Sequence, residues 1–285
     1  MSMKSNAGRP RRIQLTARDE RVVRLVHNLG MATVEQVQLL EFGGKNRSRA
    51  QTRLGVLRQA GYLETLEGRA PNQPAVWVVS RRGIKAFSLE EPEAPVQRVK
   101  YRRLSHDLAV TDCRVRIMLA CREPGLELLA WRREEELRAT TIRHGVLPDA
   151  LFQVGRQDAG RAPKSTFALE CEVSEKGERA LKQKYANFGA YYYGGKFEQD
   201  FGTKALRVLV LVRPEPGASG ERFVRRMTTM ATSVGVTFVR VVELATFLKL
   251  SPAELFFRPV WSQPGVDGPV PLFPGGDTHA QQQVA

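Results

Sequence analysis

Apolar residues recur every three or four positions in three segments of the first third of the chain. The first segment follows Thr16, which together with Asp19 forms a capping-box-like start, and it stops at Gly30. The second segment, TVEQVQLLEF, follows with Thr33 as a candidate N-cap, and the third is NRSRAQTRLGVLRQAG. The spacing predicts three consecutive helices.

Two short apolar runs, Leu63–Leu66 and Val76–Val79, follow the third helical segment around a turn rich in Gly, Pro and Asn. Runs of this length and composition are typical of strands that form a hairpin. Three helices and a hairpin predict a winged helix-turn-helix over residues 15–90, preceded by a basic flexible leader at residues 1–14.

Basic residues are concentrated in the same part of the chain. The net charge is +14, and residues 1–103 carry 20 Lys and Arg against 9 Asp and Glu. Such an excess favours a polyphosphate partner, here double-stranded DNA. The candidate DNA-binding residues lie on the third helix and on the wing: Arg47, Arg49, Gln51, Arg53, Arg58 and Arg69. The alternative is that this module binds another protein, since fold alone does not decide function.

The rest of the chain has a mixed pattern. A charged, proline-containing linker is predicted at residues 91–103, and residues 104–250 give the order α-β-β-β-α-β-α-β, which indicates an α/β domain. Residues 251–285 are predicted to form a docking arm, with Phe256, Phe257 and Trp261 covering apolar surface, and a disordered tail from Pro264 onward.

Three acidic residues stand at strand ends within this second region. Asp149 opens the strand LPDALFQV, and Glu170 and Glu172 close the strand FALECEVS. Because side chains alternate along a strand, Glu170 and Glu172 share one face, and a hairpin brings Asp149 close to them. Three carboxylates repel one another unless a cation neutralises them, and such oxygen ligands suit Mg²⁺ or Mn²⁺. The sequence therefore predicts a divalent-metal site at this edge.

Each of these residues also has an ordinary interpretation. Asp149 follows a proline and is suited to ending a turn, and Glu172 has Lys176 and Arg179 within reach as ion-pair partners. His106 is suited to a capping or core position. The three cysteines lack metal-ligand or redox spacing, and no segment is apolar enough for a membrane span or secretory signal, so we expect free thiols and a cytoplasmic location.

The segments LSHDLAVTD, LPDALF, FALECEVSEKG and YANFGAYY, together with the winged-helix pattern, resemble the replication-relaxation family of plasmid and mobile-element proteins. The resemblance spans roughly residues 15–245. The strand order with PD followed by ExE also resembles the PD-(D/E)xK, or restriction-endonuclease-like, superfamily.

That resemblance implies specific roles. Asp149 and Glu170 would hold metal, and a lysine two residues after Glu170 would activate the attacking water. The chain departs from the pattern because Glu172 occupies the lysine position. Lys182 or Lys184, on the following helix, would then supply the amine, and His106 would assist from the preceding helix.

Three hypotheses follow. In the first, the chain is a sequence-specific DNA-binding protein that acts in replication or relaxation of a plasmid or mobile element, or in its control. In the second, it is a Mg²⁺- or Mn²⁺-dependent DNA endonuclease or nickase. In the third, it is a transcriptional regulator whose second domain forms a homodimer or senses a ligand. Whether the chain is an enzyme, and whether it is a dimer, stays open at this point.

Overall fold

The computed structural model describes residues 14–66, 73–90, 101–157, 164–172, 177–215 and 217–273. The chain folds into two compact units, Met1–Val115 and Arg116–Ala285. Both helices and strands are well represented, so the protein belongs to the mixed α/β class.

The first unit contains the predicted helices and hairpin. Its elements are α1 (Ala17–Leu29), β1 (Ala32–Thr33), α2 (Val34–Glu41), α3 (Arg47–Gln59), β2 (Leu63–Thr65), β3 (Val76–Val79) and α4 (Arg81–Ala86). The three strands form one antiparallel sheet in the order β1-β3-β2.

The predicted capping box at the start of α1 is present. The Asp19 backbone N–H donates to Thr16 Oγ1 at 3.3 Å, and the Thr16 backbone N–H donates to Asp19 Oδ2 at 2.6 Å. Two backbone N–H groups at the helix start are thereby satisfied. Thr33 and Gln36 form the same motif at the start of α2, so both helix starts are fixed locally by sequence.

A long helix, α5 (Tyr101–Ala120), contains the division between the two units. The linker predicted at residues 91–103 therefore overlaps a helix; residues 91–100 lie outside the described part of the chain. Arg103 Nε donates to Asp107 Oδ1 at 3.2 Å, an ion pair one turn apart that supports the first turns of α5. The charged composition that indicated a linker in fact extends into the helix.

The second unit has the predicted order of major elements, with four short helices added in the described residues. Its elements are β4 (Leu126–Arg133), α6 (Glu134–Thr141), a 3-10 helix (Ile142–His144), β5 (Ala150–Arg156), β6 (Lys164–Glu172), α7 (Glu178–Tyr193), α8 (Lys196–Phe201), β7 (Leu206–Val212), α9 (Gly220–Ser233), β8 (Val239–Glu243) and α10 (Leu244–Lys249).

The five strands form one sheet in the order β4-β5-β6-β7-β8. Strands β4, β5 and β6 are antiparallel neighbours, whereas β7 runs parallel to β6 and β8 parallel to β7. The parallel strands are joined by α7 and α9, as a parallel connection requires a crossover. The β5–β6 hairpin places Ala150 opposite Leu169, so the positions of Asp149 and Glu170 follow directly at the same edge.

One face of this sheet is covered by α7 and α9. Leu181, Tyr185 and Phe188 of α7 and Phe223 and Met227 of α9 are buried against it. The side chains that alternate with these contacts, including Phe152 and Phe167, belong to the opposite face of the sheet.

The segment after α10 packs against the second unit. Trp261 pairs with Val270, and Ser262 pairs with Val241 of β8. Phe256, Trp261 and Phe273 are buried, and Phe257 lies 6.0 Å from Phe273 between ring centroids. The docking arm therefore has the predicted aromatic contacts. The prediction of a disordered tail from Pro264 was wrong for residues 264–273, because their few apolar side chains reach the core; residues 274–285 lie outside the described part.

Candidate functional site

The exposed face of α3 carries the candidate DNA contacts. Ala50, Leu54 and Leu57 are fully buried and fix the opposite face of the helix against the first unit. Arg49, Gln51 and Arg58 are exposed, and their side chains form no hydrogen bond or ion pair with any residue that the structure describes. These groups are therefore available to a partner.

Arg47, at the start of α3, is held by the neighbouring helix. Its Nη2 donates to Glu35 Oε1 at 2.6 Å, and both side chains are about half exposed. Burial raises the pKa of Glu35, but the Arg47 guanidinium more than offsets this effect, so the pKa lies below its usual range. An exposed pair of this kind costs little to break, so Arg47 remains available to a partner.

Arg53, also predicted to contact DNA, is held by an ion pair within the first unit. Its Nε and Nη2 atoms donate to the two oxygens of Asp19, whose side chain is fully buried. The same carboxylate closes the capping box of α1. Burial raises the pKa of Asp19. The hydrogen bonds from Arg53 and Thr16 lower it by more, so the pKa lies below its usual value. Arg53 therefore joins α3 to α1, and its guanidinium is not free for DNA.

Two sequence-predicted residues, Arg69 on the wing and Lys176 after β6, lie outside the described residues. His106 lies on α5 within the first unit, where its Nδ1 is 3.3 Å from Asp107 Oδ1. Its predicted catalytic role is not tested by this contact.

A second candidate site lies in the second unit, at the edge of the sheet where β6 ends. It consists of Asp149, Glu170, Glu172 and Lys184, and we call it the acid–lysine centre. Glu170 and Glu172 point to the same face, and both are buried. Asp149 Oδ2 accepts a hydrogen bond from the Cys171 backbone N–H at 2.7 Å. The hairpin has thus brought the three acidic residues to one edge, as predicted.

Lys184 supplies the positive charge of this centre. It lies on α7, and its Nζ donates to Glu170 Oε2 at 2.6 Å and also to Glu172 Oε1. Of the two lysines that the sequence offered, only Lys184 reaches the acids. Lys182 is exposed on α7 and points away from them, because two positions along a helix correspond to a rotation of about 200°.

Burial dominates the electrostatics of Glu170. Desolvation is the largest reason that its pKa is raised to about 7; Lys184 opposes the increase, and Asp149 and Glu172 add to it. For Lys184, burial lowers the pKa, but the two glutamates more than compensate, so its pKa lies above the usual value and the amine stays charged. One ammonium therefore faces two buried carboxyl groups and balances the full charge of only one of them.

The predicted metal site requires three carboxylates that are free to bind a cation. Here Lys184 holds an oxygen of Glu170 and an oxygen of Glu172, and Asp149 accepts from the backbone. Across the described ranges, no group of three or more His, Cys, Asp or Glu side chains is placed to hold a metal ion. The residues as arranged do not fit the predicted Mg²⁺ or Mn²⁺ site, because the ammonium of Lys184 occupies the place of the cation.

The family model for replication-relaxation matches residues 23–205, which is more than half of the chain. The chain belongs to the replication-relaxation family. The resemblance inferred from the sequence motifs is thereby confirmed at the family level, and the match includes both α3 and the acid–lysine centre.

Similarity to solved structures is much weaker. The restriction endonuclease FokI, solved bound to DNA and by itself, aligns with this replication-relaxation protein at 9% identity and a TM-score of 0.29. The alignment covers 84% of this chain and 44% of FokI, and a score this low does not establish a shared fold. No curated protein is significantly similar to the chain. Within the described residues, no helix is both long and apolar enough to cross a membrane.

Proposed function

We propose that this replication-relaxation protein binds double-stranded DNA sequence-specifically, with the first unit acting as a winged helix-turn-helix. The observation that carries the proposal is the exposed polar face of α3, where Arg49, Gln51 and Arg58 have no partner among the described residues. Arginine suits phosphate and guanine contacts, and glutamine suits adenine. The three buried apolar residues behind this face keep the helix rigid.

The arrangement around α3 supports the same role. Asn46 before the helix has a left-handed backbone and forms no side-chain cap, so the first N–H groups of α3 are not used by a cap. Helix starts of this kind bind phosphate oxygens well. The antiparallel pairing of β2 with β3 also supports a winged helix-turn-helix, because a wing is built on such a pair.

For the second unit we propose a restriction-endonuclease-like domain that contacts DNA of a plasmid or mobile element during its replication or relaxation. The support is the strand order, with an antiparallel β4-β5-β6 meander followed through α7 by parallel β7. The acids at the β5–β6 edge and an amine from α7 also follow the pattern that the sequence resemblance implies.

The proposed role does not include DNA cleavage. Lys184 holds one oxygen of Glu170 and one of Glu172, which favours a structural role for the acid–lysine centre over a catalytic metal site. Supercoiled plasmid incubated with the protein and Mg²⁺ or Mn²⁺ should therefore stay intact. Metal-dependent nicking that is lost in Asp149→Asn would establish the endonuclease alternative instead.

DNA binding is tested in two steps with the full chain. A preferred duplex is first selected from a random pool, and its affinity is then measured by fluorescence anisotropy over a range of salt concentrations. The variants are Arg49→Ala and Arg58→Ala. The matched control is Arg222→Ala, which removes an exposed arginine from α9 in the second unit.

We expect each α3 variant to weaken binding and to reduce the salt slope by about one unit, since each lost phosphate contact releases fewer counterions. A variant that loses a base contact instead should relax the preference for one base pair by about 1 to 3 kcal/mol. Arg222→Ala should bind like the natural protein. Unchanged affinity and slope in both α3 variants would exclude α3 as the DNA-reading helix.

A further inference from the structure

Three arginines lie on three strands of the five-stranded sheet of the second unit. Arg156 ends β5, Arg207 is the second residue of β7, and Arg240 is the second residue of β8. Across neighbouring strands, Phe152 pairs with Phe167, Phe167 with Arg207, and Leu209 with Arg240. Arg156 is four residues after Phe152 on β5, and Leu209 is two residues after Arg207 on β7, so each pair of positions shares a face. Because side chains alternate along strands, all three arginines belong to the same face.

That face is opposite the one that holds the acid–lysine centre. Glu170 and Glu172 alternate with Phe167, and they lie at the end of β6, whereas Arg207 and Arg240 lie near the starts of β7 and β8. The arginines are thus separated from the acids both by the sheet and along it. They form a separate cluster.

Aromatic rings hold two of these guanidinium groups. The Cζ of Arg207 lies 5.9 Å from the centroid of Phe167, and the Cζ of Arg156 lies 5.5 Å from the centroid of Phe273. An arginine above a ring is attracted to its face, while its N–H donors point outward from the edge of the guanidinium plane. Rings of this kind preorganise the donors without neutralising their charge.

Little in the described structure balances the charge of Arg207 and Arg240. Nη1 of Arg207 is 3.4 Å from the Ser165 hydroxyl, and Nη1 of Arg240 donates to the backbone carbonyls of Thr237 and Val239. Nε of Arg240 is buried and has no hydrogen-bond partner among the described residues. No carboxylate of the described chain forms an ion pair with either arginine.

A neighbouring arginine adds to the effect of burial on the pKa of each group. Burial, with a smaller contribution from the charge of Arg207, lowers the pKa of Arg240 to about 10. Burial likewise lowers the pKa of Arg207, with a further decrease from Arg156. Two partly buried like charges without a carboxylate are costly, and an anion placed between them would remove that cost.

We propose that Arg207 and Arg240 form a binding site for a phosphate group on the face of the sheet opposite the acid–lysine centre. A tetrahedral oxyanion offers several acceptor oxygens at once, which matches two guanidinium forks and the Ser165 hydroxyl. The phosphate group is either free inorganic phosphate or a phosphodiester of a nucleic-acid strand. The proposal does not depend on DNA binding by α3, because inorganic phosphate alone tests it.

The test uses the full chain and its thermal unfolding. Inorganic phosphate is compared with sodium chloride at the same ionic strength, for the natural protein and for the double variant Arg207→Gln, Arg240→Gln. The control is Arg222→Gln on α9, which removes the same charge from an exposed position. Because a bound anion stabilises the folded state, Tm of the natural protein should rise with phosphate beyond the effect of chloride.

The double variant should lose this excess shift, with phosphate affinity reduced roughly tenfold or more, and Arg222→Gln should keep it. If the double variant does not fold, the single variant Arg240→Lys replaces it in the test. Lysine keeps the positive charge but lacks the two parallel N–H donors of the guanidinium group, so this variant should bind phosphate more weakly. Equal shifts with phosphate and chloride, or an excess shift retained in the variants, would overturn the proposal.

A second arm identifies the source of the phosphate group. A short single-stranded oligonucleotide of mixed sequence is titrated into the natural protein and the double variant. Weaker oligonucleotide binding by the double variant identifies a nucleic-acid phosphodiester as the ligand. Equal oligonucleotide binding, together with a lost phosphate effect, identifies free inorganic phosphate.

Discussion

At the scale of single residues, the decisive group is the ammonium of Lys184. It is the positive partner of two buried carboxyl groups, and its removal would leave both without compensation. Breaking a buried ion pair from one side costs far more than the pair itself contributes.

We expect Lys184→Met to lower the free energy of unfolding at neutral pH by about 3 to 5 kcal/mol, because two buried acids would lose their counter-charge. Urea unfolding of the full chain measures this change. Lys182→Met, exposed on the same helix, is the matched control and should change stability by less than about 0.5 kcal/mol. Similar values for the two variants would show that Lys184 does not support the acids.

Glu170 makes stability depend on pH in a defined direction. Burial is the main reason that its pKa in the folded chain is about 7, against 4.5 for an ordinary glutamate in water. Between these two values the folded state holds a proton that the unfolded state has released, so stability falls as pH rises from 4.5 to about 7 and then levels off.

The variant Glu170→Gln removes this titration and keeps Glu172 as a partner of Lys184. Relative to the natural protein, the variant should therefore gain roughly 3 kcal/mol of stability between about pH 5 and about pH 8. Urea unfolding at the two pH values gives the difference. Glu135→Gln, at an exposed position on α6, serves as the control. A difference that stays constant with pH would mean that Glu170 is already ionised at the lower pH.

The sequence contained enough to predict part of this chemistry. Strand alternation placed Glu170 and Glu172 on one face, and the hairpin brought Asp149 to them. The choice of Lys184 over Lys182 was also available in principle, since Lys184 lies three residues after Leu181 and four before Phe188, both of which are buried. Its direct contact with both acids was not predictable, because it depends on how closely α7 packs on the sheet.

At the scale of elements, the ion pair between Asp19 and Arg53 joins the start of α1 to the middle of α3. Sequence pattern identified both helices and the capping role of Asp19. It assigned Arg53 to DNA because the arginines of α3 fall near or on the face opposite its inward apolar residues. A contact between residues 34 positions apart is decided by tertiary packing, which local pattern does not contain.

We expect Arg53→Met to destabilise the first unit by about 2 kcal/mol, because Asp19 would keep its buried charge without its main partner. Arg49→Met, on the exposed side of the same helix, should stay within about 0.5 kcal/mol of the natural protein. Thermal unfolding of the full chain, read by tryptophan fluorescence and circular dichroism, measures both. Equal and small effects would return Arg53 to the set of residues available to DNA.

At the scale of the whole molecule, the order of the main elements followed from periodicity, and the family followed from short motifs. The two wrong boundaries, of the linker and of the disordered tail, were both inferred from the composition of a segment. The charged segment before α5 was taken for a linker up to residue 103, although Arg103 pairs with Asp107 inside the helix. The Pro- and Gly-rich end was taken for disorder from Pro264, although Phe273 is buried. A few well-placed aromatic residues outweigh the average composition of a segment.

The return of the chain along β8 has a practical consequence for anyone preparing shortened forms of the protein. The backbone of Ser262 forms two hydrogen bonds with the backbone of Val241, one through each N–H group. Residues beyond α10 therefore cover backbone groups of β8 that could otherwise pair with a strand of another molecule. A form that ends at residue 250 would expose the unpaired backbone of β8 and the apolar surface that Phe256 and Trp261 now cover, and both would promote aggregation. Expression boundaries are better set after residue 273.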